Sequence, residues 1–386
     1  MSPNNKNIIN FIREVYNQPS GPISLHEPCF SGSEKKYLED CIDSTFVSSV
    51  GKYINLFEEK IQNYTGIKHA IATVNGTAAL HMALLLSGVK RNDEVITQSL
   101  TFIATANAIR YCEASPVFID VDSDTLGLSP EKLNDFLEKE AVMNSNGFCY
   151  NKKTGKKISA CVPMHTFGHP ARIDEIKVVC DKYNIKLVED AAESIGSKYK
   201  GKHTGGYGLL GVLSFNGNKT ITTGGGGMIL TNNDEIAVKA KHLTTTAKVK
   251  HPYEFIHDET GYNYRLPNIN AALGCAQMES LDFFISEKRK LADKYKNFFM
   301  KEGVNFFSEP DNSFSNYWLN SIILSSKNER DEFLEFSKKN DINSRPVWRL
   351  INKLEMYKNY QVGNIENSEK LADSIVNIPS SVIVKK

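Results

Sequence analysis

The sequence has almost no net charge and no long apolar run. Its 386 residues include 46 Lys and Arg against 45 Asp and Glu, a formal net charge of +1 at pH 7. A protein that binds nucleic acid or a membrane surface through a general positive field carries a clear excess of basic residues. The longest notable apolar stretch, residues 82–86, is far too short to cross a bilayer. We therefore expect neither a nucleic-acid partner nor a membrane partner.

Cysteine is present, but never in a close pair. The seven cysteines are scattered between positions 29 and 275 and contain no C-x-x-C spacing. This pattern argues against a zinc site and predicts reduced thiols in a cytoplasmic protein. The polar first six residues lack the apolar core of a signal peptide, which agrees with that compartment.

Strand-like and helix-like segments alternate along the first two thirds of the chain. Three helices are predicted first, over 4–18, 34–42 and a segment ending near Gly66. The alternation that follows predicts strands at 69–74, 94–97, 117–121, 158–164, 185–188, 212–215 and 228–231. Between them it predicts helices at 78–86, 103–111, 130–142 and 173–183, and a loop or hairpin at 144–157. Such alternation is typical of an α/β fold with a mostly parallel sheet and helices on both faces.

The pattern changes after about residue 245. Residues 248–263 are polar and aromatic without a clear period, and 269–300 predicts a long helical stretch that a bend could interrupt. A strand at 318–324 and helices at 329–339 and 371–376 complete the chain. Because the chain is too long for one typical core, we predict a large domain over 1–247 and a smaller α+β domain over 248–386.

Lys219 stands between a predicted strand that ends near Ser214 and four consecutive glycines, 224–227. A loop lysine is usually only solvated, and that interpretation would hold for an isolated lysine. Glycines, however, permit close approach of the backbone to a ligand. A lysine on a tight loop is what an enzyme holding pyridoxal phosphate (PLP) requires, because the amine forms a Schiff base with the cofactor aldehyde.

Asp190 ends the predicted strand that precedes this loop. It is a candidate partner for the protonated pyridine nitrogen of PLP, which a carboxylate keeps cationic. Its structural alternative is a helix N-cap, and Glu193, three residues later, would then complete a capping box. The functional alternative for Glu193 is a hydrogen bond at the phenolic oxygen of the cofactor.

Residues 75–80, with the sequence NGTAAL, join a strand to a helix. They are either a simple helix cap or a phosphate seat made of N-terminal amides, including that of Gly76, and the Thr77 hydroxyl. Phe102 belongs either to the core or to a stack on the pyridine ring. His165 and His169 flank a short turn, and without a third ligand we expect them to be structural rather than a metal site.

Together these segments resemble the sugar-nucleotide aminotransferases of the DegT/StrS family, which are fold-type I PLP enzymes. The resemblance covers nearly the whole chain, with matching segments at 51–58, 75–80, 100–107, 188–193, 214–228, 261–271 and 345–348. It implies that Lys219 carries the cofactor and that Asp190 pairs with the pyridine. It also implies that Thr77, Ala78 and Ser214 hold the phosphate, that Phe102 lies against the ring, and that Asn263 reaches the phosphate of a neighbouring subunit in a homodimer.

Within the family, the Gly21–Pro22–Ile23 opening and residues 345–348 most resemble the aminotransferases of legionaminic acid and bacillosamine biosynthesis. This resemblance implies transfer of an amino group from L-glutamate to C4 of a UDP-4-keto-6-deoxy-N-acetylhexosamine. The main alternative is the GDP-4-keto-6-deoxymannose aminotransferase of perosamine synthesis. Ser49, Arg345 and Trp348 are candidate sugar-nucleotide contacts, with ordinary packing and surface charge as their structural alternative.

Two other classes of function stay open at this point. One is a non-catalytic, regulatory PLP-binding protein. The other is sugar dehydration on the same fold, but that branch of the family replaces the lysine by histidine, and Lys219 argues against it.

Overall fold

The structure is a computed structural model that describes residues 5–384. The helices are α1 (Asn5–Val15), α2 (Glu34–Asp43), α3 (Lys52–Thr65), α4 (Gly76–Leu86), α5 (Ile103–Tyr111), α6 (Pro130–Glu140), α7 (Ile173–Lys182), α8 (Asp234–Thr244), α9 (Asn268–Glu279), α10 (Leu281–Glu302), α11 (Lys327–Lys339) and α12 (Glu366–Ser374). No helix in this part of the chain is both long and apolar enough to span a membrane.

The strands fall into one large sheet and several small ones. They are β1 (His69–Thr73), β2 (Glu94–Gln98), β3 (Ser115–Ile119), β4 (Ala141–Met143), β5 (Cys149–Asn151), β6 (Ile158–Val162), β7 (Lys186–Asp190), β8 (Lys198–Tyr199), β9 (Lys202–His203), β10 (Leu210–Ser214), β11 (Gly227–Thr231), β12 (Lys248–Val249), β13 (Ile256–His257), β14 (Asn305–Phe306), β15 (Ser313–Phe314), β16 (Asn320–Ile323), β17 (Arg345–Pro346) and β18 (Ile375–Ile378).

The large sheet has seven strands in the order β1-β11-β10-β7-β6-β2-β3. Strands β10, β7, β6, β2 and β3 are parallel, whereas β11 runs antiparallel to both of its neighbours. Neighbouring residues of β10 face opposite cores: Val212 packs with apolar residues of α4 and α8, and Leu213 packs with those of α3 and α9. Helices therefore cover both faces, and the predicted α/β fold is confirmed.

A four-stranded sheet, β14-β16-β18-β17, forms near the C-terminus. Its core contains Tyr295 and Phe299 of α10, Ile322 of β16, and also Ile8 and Ile12 of α1. The first helix of the chain thus packs on the last sheet. The division of the chain at residue 247 stays a prediction.

Capping residues mark several helix boundaries. Ser129 accepts a hydrogen bond from the Lys132 N–H at the start of α6, with Pro130 as the first helical residue. Helix α10 ends at Gly303, whose φ of 68° is the left-handed conformation that glycine adopts at low cost. Such signals help to explain why most of the helix predictions agree with the structure to within a few residues, although helix α8 was not predicted.

The prediction over residues 371–376 is wrong in its second half. Helix α12 ends at Ser374, and Ile375 begins strand β18, which pairs with both β16 and β17. Ile375, Val376 and Ile378 are fully buried. Their β-branched side chains fit a sheet better than a helix, and a partner on each side supplies the backbone hydrogen bonds.

In three segments between the main elements the structure specifies what the sequence left open or did not indicate. The helical stretch at 269–300 is two helices, with the break at Ser280. Residues 248–257 contain the short antiparallel pair β12–β13, which the aperiodic sequence did not indicate. The predicted loop or hairpin at 144–157 is a hairpin, whose strands β4 and β5 span 141–151.

Two phenylalanines on α10, one buried and one exposed to solvent, allow a stability test. Phe299 is fully buried and stacks on Phe306, whereas Phe283 on the same helix is 45% exposed. We expect Phe299→Ala to lower the free energy of unfolding by about 3–5 kcal/mol, because it leaves a cavity. Phe283→Ala is the matched control and should change it by less than about 1 kcal/mol. Urea unfolding followed by circular dichroism measures both, and equal losses would contradict the assigned core.

Candidate active site

A cavity of about 330 Å³ opens at the carboxyl ends of the parallel strands, where ligands bind in sheets of this kind. Asp190 is the last residue of β7, Ser214 is the last residue of β10, and Met164 follows β6. The side chains around the cavity come from segments far apart in the sequence: Asn75, Gly76, Thr77, Leu80, Phe102, Ala104, Met164, Asp190, Ala192, Glu193, Ser214, Asn216, Asn218, Lys219, Trp318 and Trp348. Its volume lies in the range of small-molecule sites.

The N-terminus of α4 forms one wall of the cavity. Asn75 caps this helix, and its side-chain oxygen accepts the Ala78 N–H at 2.8 Å. The first N–H groups of a helix have no acceptor within it, so those of Gly76 and Thr77 are suited to an anion. A Cβ on Gly76 would lie 3.0 Å from the Ser214 Cβ, so a larger residue there would crowd the contact between the helix and β10.

Two of the four consecutive glycines have a different role from the one that the sequence suggested. A Cβ on Gly227 would lie 2.4 Å from the Asn75 carbonyl oxygen, and one on Gly226 would lie 2.2 Å from the Thr223 hydroxyl. At these two positions glycine makes room for the protein's own chain, not for a ligand. Strand β11 can therefore pass directly beside the turn that starts α4.

Asp190 lies at the buried end of the cavity, with 2% of its surface exposed. One carboxylate oxygen accepts the Thr105 hydroxyl at 2.7 Å, and the other accepts the Ala192 N–H at 3.2 Å. Burial raises the pKa of this carboxyl, and a cation beside it would oppose that effect. No helix begins after Asp190, so it is not an N-cap.

Lys219 and Glu193 form an ion pair inside the cavity. The Lys219 Nζ lies 3.1 Å from the Glu193 Oε1 and 3.9 Å from the centroid of the Trp318 ring. The Glu193 side chain is 1% exposed, and burial raises its pKa to about 7. Its other oxygen accepts the Phe167 N–H at 2.9 Å, so Glu193 is not part of a capping box.

Glu189, on the opposite side of β7 from Asp190, is a fully buried carboxylate. It accepts three backbone N–H groups of residues 205–208 at 2.5–2.7 Å and the His165 Nε2 at 3.1 Å. Burial alone would raise the pKa of Glu189, but the His165 hydrogen bond and these N–H groups lower it. The Ala171 N–H donates to the His165 Nδ1, so both ring nitrogens of this histidine are engaged by protein groups.

His169 has a different environment. It is fully buried, and its ring packs edge-on against Phe307 and Tyr317. Burial lowers the pKa of His169 to about 3, so the ring is neutral. This histidine is packed among aromatic rings and does not reach the cavity.

Aromatic side chains close the outer side of the cavity. Phe102 is 45% exposed, and its ring centroid lies 6.0 Å from that of Trp348, which in turn lies 5.1 Å from that of Phe167. The Trp318 Nε1 donates to the Asn218 carbonyl oxygen at 2.6 Å, which fixes the indole next to the lysine loop. Neither Trp318 nor Thr105 was among the site residues that the sequence predicted. The sequence offered one signal for Trp318, namely that it is one of only two tryptophans.

Not every predicted site residue lies in this cavity. Ser49 and Asn263 line a second one, of about 870 Å³, together with several basic side chains: Lys52, Lys248, Lys250, His251 and Arg265. The Arg265 Nε donates to the Ser49 carbonyl oxygen at 3.1 Å. Arg345, in strand β17, is exposed and lines neither cavity.

The groups of the first cavity fit PLP. A helix N-terminus beside Ser214 suits its phosphate, a buried carboxylate at Asp190 suits a pyridinium N–H, and the Lys219 amine lines the same cavity. These groups converge only because three strand ends and the α4 N-terminus meet at one edge of the sheet.

Comparisons with known proteins agree with this chemistry. A sequence model of the DegT/DnrJ/EryC1/StrS aminotransferase family matches residues 28–386. The GDP-perosamine synthase of Escherichia coli O157:H7 is 38% identical over 359 residues, which are 93% of this chain and 93% of that protein. The GDP-perosamine synthase of Vibrio cholerae is 38% identical over 338 residues, 87% of each chain.

Solved structures show the same fold. A DegT/DnrJ/EryC1/StrS aminotransferase from Brucella abortus superimposes with a TM-score of 0.81 at 26% identity, over 92% of this chain and 91% of that one. The family that the sequence motifs resemble is thereby confirmed. The chain belongs to the DegT/DnrJ/EryC1/StrS aminotransferase family and is a PLP-dependent aminotransferase.

Proposed function

We propose that this enzyme transfers the amino group of L-glutamate to C4 of a UDP-4-keto-6-deoxy-N-acetylhexosamine, in the cytoplasm, for the synthesis of bacterial surface sugars. The observation that carries the proposal is the convergence of Lys219, Asp190 and the α4 N-terminus in one cavity. The motifs at 21–23 and 345–348 support this particular sugar nucleotide.

Each group of the cavity has a defined task in this proposal. Bound PLP would supply an electron sink for the reacting carbon and would carry the amino group from one substrate to the other. The Lys219 amine holds the cofactor and, once released, moves a proton at the reacting carbon. The Asp190 carboxylate holds the pyridine proton, and the α4 amides with Ser214 bind the phosphate. Phe102 lies against the ring.

The second cavity supports a homodimer with shared sites. Asn263 lies there beside basic side chains that suit a diphosphate, yet it does not reach the Lys219 cavity of its own chain. In the proposal, Asn263 of one copy contacts the cofactor phosphate of the other. The candidate contacts to the sugar nucleotide are Ser49 in the second cavity, Trp348 in the aromatic wall and the exposed Arg345.

A second candidate substrate is GDP-4-keto-6-deoxymannose. The specific observation in its favour is the 38% identity to two GDP-perosamine synthases over most of the chain. The two candidates share the reaction at C4 and differ in the base and in the group at C2 of the hexose.

The substrate can be identified directly. The enzyme, loaded with PLP and L-glutamate, is offered the UDP- and the GDP-linked 4-keto sugar in parallel, and amino sugar formation is followed by mass spectrometry. We expect kcat/KM for the UDP sugar to exceed that for the GDP sugar by on the order of 100-fold, because a site that binds one base leaves its polar groups unpaired against the other. A preference for the GDP sugar would support the second candidate.

Replacement of the lysine tests the assigned attachment point. In Lys219→Ala the visible absorbance band of the lysine-bound cofactor should disappear, and amino transfer should fall by at least about 100-fold, since the proton carrier is lost. Lys241→Ala is the control, because Lys241 also pairs with a buried glutamate, Glu58, but outside the cavity. Persistence of the band in Lys219→Ala would show that another amine holds the cofactor.

A mixing experiment tests the shared site. Lys219→Ala and Asn263→Ala should each be weakly active alone. When they are mixed and allowed to exchange subunits, the hybrid dimer contains one intact site, with Lys219 from one copy and Asn263 from the other. We expect activity to rise toward half of the wild-type value per hybrid dimer. No recovery, with exchange verified by mass spectrometry, would place Asn263 and Lys219 of the same chain in one site.

A further inference from the structure

Glu193 is in direct contact with the Lys219 amine inside the cavity. We propose that Glu193 accepts a proton from Lys219 and returns it, so that the two side chains act as one acid–base pair during amino transfer. This proposal rests on the role of Lys219 in the proposed function. It adds a second proton-carrying residue to the active site.

The geometry holds the two groups in direct contact. The Lys219 Nζ donates to the Glu193 Oε1 at 3.1 Å, while the Glu193 Oε2 accepts the Phe167 N–H at 2.9 Å. Both carboxylate oxygens are thereby engaged, so the side chain has one orientation. The Glu193 side chain is 1% exposed and that of Lys219 is 12% exposed, which leaves little water to carry the proton instead.

The backbone around Phe167 is specialised for this contact. Phe167 has a φ of 57°, in the left-handed region that a bulky side chain rarely adopts, and Gly168 follows with a φ of 95°. A Cβ on Gly168 would lie 1.9 Å from the Asn316 Oδ1. Asn316 in turn donates to the Glu193 carbonyl oxygen at 3.0 Å. Strain of this kind persists where the surroundings enforce it, and here it aims an N–H at Glu193.

Few charges face this pair. Asp190 from β7 raises the pKa of Glu193, whereas Lys219 lowers it. The Trp318 ring covers the Lys219 Nζ without adding charge. His26, from the N-terminal segment, lies within the electrostatic field of Lys219. Burial first, and then the charges of Lys288 and Lys219, lower the pKa of His26, so it contributes no positive charge.

Proton transfer within the pair depends on the relative free energies of its two protonation states. Burying an ammonium and a carboxylate removes the hydration of both, and their attraction only partly offsets that loss. The neutral pair, an amine and a carboxylic acid, therefore approaches the ion pair in free energy. Moving one proton from the Lys219 Nζ to the Glu193 Oε1 leaves the total charge unchanged and frees the amine. Only the free amine takes a proton from the substrate carbon.

Glu193→Gln tests the proposal, because glutamine keeps the shape of the side chain and one acceptor oxygen but cannot hold the proton. The rate of the half-reaction with L-glutamate is measured in single turnover, by cofactor absorbance, as a function of pH. In the wild type we expect the rate to fall as the pH drops through about 7, where burial places the pKa of Glu193 and the carboxylate becomes protonated. In Glu193→Gln this fall should vanish, and the rate at neutral pH should be about 100-fold lower.

Controls separate a proton carrier from a structural residue. Glu58→Gln makes the same change in a buried glutamate that pairs with Lys241, and it should leave the pH profile intact. Glu193→Asp keeps a carboxylic acid and should restore part of the fall in rate at low pH. If the rate of Glu193→Gln fell at low pH as it does in the wild type, the proposal would be overturned.

A measurement without cofactor gives an independent readout. Infrared difference spectra of the cofactor-free protein should show a carboxylic acid band that appears as the pH falls through about 7, and Glu193→Gln should lack it. A band that is the same in both proteins would overturn the proposal. If the wild type reacts with glutamate but with no keto sugar, the proposed substrate fails while the pH profile still decides the role of Glu193. If it does not react with glutamate, the infrared titration decides alone.

Discussion

The parallel pairing of β7 with β10 is the interaction on which the active site depends. It places Asp190 opposite Val212 and brings the end of β7 next to Ser214, the last residue of β10. The chain then leaves β10 through the loop that carries Lys219 and returns as β11, which pairs with β1 and so positions the turn before α4. A strand order with any other neighbour for β7 would separate the carboxylate, the lysine and the helix N-terminus.

Three acidic residues near the end of β7 have three different environments. Glu189 is held by N–H groups and His165, which stabilise its charge, and it ties the strand to the following loop. Asp190 accepts hydrogen bonds from one hydroxyl and one N–H, which leaves room for a cation beside it. Glu193 accepts hydrogen bonds from a lysine and a single N–H, and burial raises its pKa. The number and the kind of donors that each carboxylate receives therefore distinguish a structural group, a charge partner and a proton carrier, since only Glu193 accepts a hydrogen bond from a lysine.

The site also explains the short histidine-flanked turn at 165–169. His165 supports Glu189, and the Phe167 N–H supports Glu193, so the turn serves the cavity through its backbone as much as through its side chains. The metal interpretation is not needed to account for these residues. The basic second cavity, at a distance from Lys219 in the same chain, gives the proposed partner subunit a chemical role in binding a diphosphate.

The sequence by itself determined the α/β class, the family, and the lysine, carboxylate and phosphate-seat candidates, because these depend on local periodicity and on motifs of a few adjacent residues. It was wrong at Ile375, where burial between two partner strands outweighed the helical pattern. Only the tertiary structure decided that Thr105 holds Asp190, that the Phe167 N–H holds Glu193 and that Trp318 covers Lys219. Those contacts join residues tens of positions apart, and their distances follow from how strands and helices pack, which no local pattern encodes.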